Sequence, residues 1–170
     1  MTPASDAWKT MTRLVSEIAS FAEVGMTPRP SAVIHFGSSV RPPLQYESDV
    51  DLLFFFQSLP SGRIAAQDIF VPLELHCSPY LNELRAAGFN YELSPIAKSE
   101  QAAKVFSPLY LDLVDRSKIL FDPSGLADQL IQRSKRFIER NGSRREYISG
   151  RPVWIYNPNL KSGEHFTDDF

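Results

Sequence analysis

Two aspartates at alternate positions, Asp49 and Asp51, interrupt the start of the apolar run "DVDLLFFF", and a glycine-serine pair, Gly37-Ser38, closes the earlier apolar segment "AVIHF". On a strand, successive side chains point to opposite faces. Both carboxylates would then share one face, about 7 Å apart, with Val50 and Leu52 on the other. Like charges so placed repel each other and lose hydration if buried, so a cation belongs between them. Mg²⁺ suits the position, because it takes carboxylate oxygens and completes its shell with water and substrate phosphates. Two such ions can activate an attacking hydroxyl and stabilise a departing pyrophosphate. Gly37 lets the backbone approach an anion closely, and the hydroxyl of Ser38 with nearby amides, Ser39 included, can hydrogen-bond phosphate oxygens. A bare Asp-x-Asp more often only begins an edge strand. Here the Gly-Ser pair stands at the end of the preceding strand, and an eleven-residue step leads from Ser38 to Asp49.

Other chemistries lack their fingerprints. His35, His76 and His165 have no metal-ligand spacing, and the single Cys77 permits neither an internal disulfide nor a cysteine zinc cluster. Neither G-x-S-x-G, a Walker loop nor G-x-G-x-x-G is present. Arg41 reaches phosphate as a fork donor or stands as a solvated loop arginine, and the sequence supports both readings equally. Lys98 and Lys104 read as solvated residues on an exposed helix. The run "KRFIERNGSRR" reads as a solvated helix end more readily than as a contact for RNA or an acidic partner.

The elements that would position these residues follow from periodicity. Trp8, Met11, Val15, Ile18 and Ala22 recur at helical steps behind Ser5 or Asp6 as N-cap, ending near Gly25. A short strand over 32–36, a proline-containing loop over 38–48 and a strand through Phe56 come next, then a short helix in "GRIAAQDI". "FVPLELHC" alternates Val71, Leu73, Leu75 and Cys77 and reads as a strand, followed by a helix in "SPYLNELRAAGF". "KSEQAAKVFSPLYLDLVDRS" reads as one or two helices, and "KILFD" as a last short strand. "PSGLADQLIQRSKRFIERNG" reads as a helix with an Asn141-Gly142 stop. The tail from Ser143 is aromatic and has no regular pattern.

The expected fold is therefore α/β (α+β): one domain over 1–170, with a small mixed β-sheet carrying the carboxylates on one face and helices on the other. Its core spans about 30–122, and a C-terminal helix with an irregular aromatic tail occupies 123–170. At 170 residues one domain has enough chain for a real core. A net charge of −2 opposes a protein that mainly grips a nucleic-acid backbone, although a local basic cleft is compatible with it. No window approaches the roughly 20 apolar residues of a membrane span, and the N-terminus has no signal-like apolar region. The expectation is a soluble, cytoplasmic chain with no membrane partner.

"FGSSVRPPLQYESDVDLLF" resembles the signature of the DNA polymerase beta-like nucleotidyltransferase superfamily, and the chain's size is similar to that of the minimal nucleotidyltransferases. The tail "SGRPVWIYNPNLKSGEHF" is more loosely similar to the ends of bacterial and archaeal nucleotidyltransferase-domain proteins. The resemblance implies that Gly37 and Ser38 hold the triphosphate of an NTP and that Asp49 and Asp51 bind Mg²⁺; Ser39 and Arg41, beside the same pair, are the further nucleotide-binding candidates. It also implies a third carboxylate on the next strand of the sheet, for which Glu74 is favoured over Asp112. That group would accept a proton from, or orient, the acceptor hydroxyl in NMP transfer. His76 shares the face assigned to Glu74, as an acid-base partner or, more commonly, a structural histidine. The acceptor stays open among a small molecule such as an aminoglycoside, a protein hydroxyl and an RNA 3′ end. An antitoxin-like module that binds and nucleotidylates a partner toxin is the second reading, and a nucleotide-binding relic without turnover is the third. Base preference and oligomeric state are not encoded in these motifs.

Overall fold

The computed structural model describes residues 3–60, 62, 67–149, 151–160 and 170. Helix α1 (Pro3–Val24) leads into strand β1 (Ala32–Phe36), a 3-10 turn at Ser38–Val40 and strand β2 (Glu47–Phe56). Helix α2 (Val71–Ala86), strand β3 (Asn90–Ser99) and a second 3-10 turn at Glu100–Lys104 follow. Helix α3 (Pro108–Asp115), strand β4 (Ser117–Phe121), helix α4 (Leu126–Asn141) and a hairpin of β5 (Arg144–Ile148) and β6 (Arg151–Ile155) come last. The main sheet has the order β3-β2-β1-β4 and is mixed: β1 pairs antiparallel with β2 and β4, and β2 runs parallel to β3.

Helices cover both faces of this sheet, where one covered face was expected. Val33, Val50, Leu52, Phe54 and Phe56 pack under the stripe Ala7, Met11, Leu14, Ile18 of α1 and under Leu73, Cys77 and Leu84 of α2. On the opposite face Ala32, Ile34, Phe36, Leu53 and Phe55 pack against Tyr110 and Leu113 of α3 and Ala127 and Leu130 of α4. The unbroken run Leu52–Phe56 records this, since a strand buried on both sides has no polar alternation. Asp49 and Asp51 share the α3–α4 side with Leu53, but Asp49 is exposed and Asp51 half-buried.

Two elements depart from the sequence reading. "FVPLELHC" is the first half of α2, not a strand. Leu73, Cys77 and Leu84 are buried at helical spacing, while Val71 and Leu75 are exposed. So short an alternating segment fits either period, and burial of the four-residue repeat decides for the helix. The parallel strand beside β2 is instead "NYELSPIAKS", a polar sequence holding Pro95. As the sheet's edge it tolerates a residue without an N–H and needs little apolar surface. Of the helical stretch expected after Lys98, a 3-10 turn and the short α3 form. The tail expected to be irregular begins with the β5–β6 hairpin. The helix expected in "GRIAAQDI" falls largely outside the described residues.

Candidate active site

The site forms where β1 ends beside the middle of β2. Phe36 is the register partner of Asp51, so the residue that follows it must turn away immediately beside that carboxylate. Gly37 does so at φ 84° and ψ −155°, a conformation open essentially to glycine. A Cβ there would lie 3.3 Å from Asp51 Cγ and overlap its Oδ2. Glycine is thus needed twice, for its backbone angle and for the space the carboxylate occupies. The Gly37 amide donates to the Arg116 carbonyl (3.1 Å). The hydroxyls of Ser38 and Ser48 are hydrogen-bonded at 2.6 Å, tying the turn to the first residues of β2.

The electrostatics of this corner are set by its neighbouring acidic side chains. Burial, and next the neighbouring Asp49 charge, push the Asp51 carboxyl up from 3.8 to about 6, against a hydrogen bond from Ser94 that favours the ionised form. The parallel register places Glu92 beside Asp49 and Ser94 beside Asp51. Glu47, Asp49 and Glu92 line one shallow depression of about 320 Å³. Among the described residues no group of three or more Asp, Glu, His and Cys side chains could hold a metal ion unaided. The Asp49–Asp51 pair suits Mg²⁺ in its usual substrate-assisted mode, in which one or two carboxylates share the ion with phosphates.

Glu74, expected on a neighbouring strand, lies instead on an exposed turn of α2. It lines a separate depression of about 440 Å³ with Asp68 and with Leu93, Ser94 and Pro95 of β3. Asp112 lies on α3, where it accepts hydrogen bonds from Trp154 Nε1 (2.9 Å) and Arg145 and serves the tail. Glu92 was missed. Its signal is "YEL", an acidic residue between two apolar ones shortly after a helix, obscured by the polar surroundings of an edge strand.

Arg41 is not a free loop arginine: its Nη2 donates to the Asp115 carbonyl (3.1 Å) and lies 3.8 Å from Asp115 Oδ1. Ser39 is buried and hydrogen-bonded to His35 Nε2 (2.8 Å). Burial first, then Lys118, lowers the His35 imidazole to about 4, so it is neutral at physiological pH. His76 is bonded to Glu17 (3.0 Å) and stacked on Phe21, a structural arrangement. His165 lies outside the described residues. Lys98 stands over the Tyr110 ring rather than in solvent alone, whereas Lys104 is exposed. The basic run is divided among partners, with Arg140 over Phe137, Arg144 bonded to Glu146 and Arg145 to Asp112. Among the described residues no helix is long and apolar enough to cross a membrane.

No family model matches the chain, and no curated protein sequence matches it. Among solved structures, a mutant of the toxin–antitoxin pair MntA–HpeT aligns with it at 11% identity and a TM-score of 0.38, covering 70% of this chain and 82% of that one.

Proposed function

We propose that this chain is a Mg²⁺-dependent nucleotidyltransferase that moves an NMP group from an NTP to an acceptor hydroxyl. The observation that carries the reading is the contact between Gly37 and Asp51: a glycine turn pressed against the more buried member of a carboxylate pair, whose carboxyl is pushed up to about 6 by burial first and by the Asp49 charge next. Asp49 and Asp51 would hold Mg²⁺. The ion, when bound, lowers the pKa of a coordinated hydroxyl and neutralises charge on the α-phosphate and leaving pyrophosphate.

The chain's own groups supply the rest. The linked hydroxyls of Ser38 and Ser48 can turn towards phosphate oxygens, each exchanging one hydroxyl partner for another. Arg41, fixed beside the same turn, adds a fork donor. Glu92 takes the role first expected of Glu74: exposed on the strand next to Asp49, it can accept the proton of an incoming hydroxyl. Rigid strands rather than loops hold these three carboxylates, which suits groups that must keep a fixed separation.

The test is to incubate the purified chain with Mg²⁺ and each NTP labelled at the α-phosphate, alone and with cell lysate, and follow the label. Transfer that disappears in Asp49→Asn and Asp51→Asn supports the reading. Label on one protein band identifies a protein acceptor such as a partner toxin, and label in the small-molecule fraction identifies a metabolite or drug. Nucleotide binding without any transfer under these conditions overturns the enzymatic reading and leaves a binding relic.

A further inference from the structure

The hairpin β5–β6 adds no strand to the main sheet, yet it is bonded to the segment on which the glycine-serine turn is anchored. Both ends of that turn are fixed to consecutive carbonyls at the end of α3. Gly37 donates to the carbonyl of Arg116 (3.1 Å), and Arg41 to the carbonyl of Asp115 (3.1 Å). The last turn of α3 carries two acids, Asp112 and Asp115, three residues apart on one helical face. Negative charge at a helix C-terminus opposes the helix dipole, so this turn requires compensation.

Arg145 of β5 supplies it. Its guanidinium pairs with Asp112 through Nη2 and lies 3.7 Å from Asp115 Oδ2 through Nη1. Its position is fixed in turn by Trp154 of β6, whose ring it overlies at 5.2 Å and whose Nε1 donates to the same Asp112 carboxylate (2.9 Å). Asp115 therefore stands between two guanidiniums, one from the tail and one from the turn.

We infer that the C-terminal hairpin is a positioning element for the Gly37–Arg41 turn, acting through Arg145 and the Asp112–Asp115 end of α3. The inference rests on the proposed function in treating that turn as the triphosphate holder, but its structural half can be read without nucleotide. Loss of Arg145 would leave Asp112 without a cation and Asp115 with Arg41 alone, loosen the Asp115 and Arg116 carbonyls, and release both ends of the glycine turn together. Arg145 is a positioning residue, since it is assigned no contact with nucleotide.

The experiment is amide hydrogen exchange on the full chain for wild type, Arg145→Ala, Arg145→Lys and Arg144→Ala, paired with KM and kcat for Mg²⁺-NTP. In Arg145→Ala the amides of residues 37–41 should exchange about tenfold faster while those of 52–56 keep the wild-type rate. KM should rise about tenfold, with kcat within about threefold. Arg145→Lys should recover part of both effects. Arg144→Ala, altered on the same strand at a side chain bonded to Glu146, should change neither. If Arg145→Ala fails to fold, Trp154→Phe, which removes one donor to Asp112, should give the same pattern more weakly. Unchanged exchange at 37–41 overturns the inference, as does faster exchange there with an unaltered KM. A wild type that transfers no label, with exchange responding as expected, overturns the proposed function and leaves the mechanical coupling standing.

Discussion

Replacing Asp51 by asparagine should make the protein more stable while abolishing the proposed nucleotidyl transfer. Folding raises the Asp51 carboxyl from 3.8 to about 6, because burial and the Asp49 charge both disfavour its ionised form. At about 1.4 kcal/mol per tenfold change in proton affinity that rise is worth about 3 kcal/mol. The side chain keeps part of its hydration, and screening reduces the figure to about 1–2 kcal/mol. The sign follows from proton linkage: the folded state binds this proton more tightly than the unfolded chain. The penalty is thus absent below pH 3.8, grows between about pH 4 and 6, and is complete above 6. The substituted amide would be neutral at every pH and could still accept the hydrogen bond from Ser94. At pH 7.5, without Mg²⁺, Asp51→Asn should raise Tm by about 2–8 °C for a chain of this size. Relative to wild type, that gain should shrink by about 1–2 kcal/mol at pH 3.5. Thermal unfolding followed by circular dichroism at both pH values checks this, alongside loss of label transfer. A variant no more stable than wild type at pH 7.5, or a gain of equal size at both pH values, refutes the electrostatic account of the pair.

Glu92→Gln should lower label transfer by about 100-fold, in the range of a lost general base, whereas Glu74→Gln should stay within about threefold; the opposite order in a transfer assay would return the role to Glu74. Gly37→Ala should destabilise the fold by at least about 1–2 kcal/mol through its left-handed φ alone. Contact with Asp51 adds to this, so urea unfolding of Gly37→Ala in an Asp51→Ala background should show a smaller cost. Cys77, buried and with its thiol pushed up to about 12, should resist a thiol reagent in the native protein and react fully in denaturant. Phe54→Ala, which empties a fully buried position on β2 beside Phe70, should cost about 3–5 kcal/mol by urea unfolding.

Local signals established those elements whose pattern had one solution. The stripe of α1, the strand through Phe56 and the glycine stop of α4 are such cases. The placement of Asp49, Asp51 and Gly37-Ser38 belongs with them, because strand alternation fixes which face each carboxylate takes. The reading failed where a short segment fits two periods. Alternating "VPLELHC" satisfies a strand locally, and only packing of Leu73, Cys77 and Leu84 beneath the sheet selects a helix. It failed again at β3, since an edge strand need not be apolar and so resembles a loop.

Sequence alone therefore determined the carboxylate pair, its strand and the glycine turn before it, all of which depend on neighbours within one stretch of chain. Tertiary structure decided what lies beside them. The parallel register that sets Glu92 against Asp49, and the ion pairs that bring Arg145 to the end of α3, join residues far apart in sequence. Such contacts arise from strand order and helix packing, which no local period encodes.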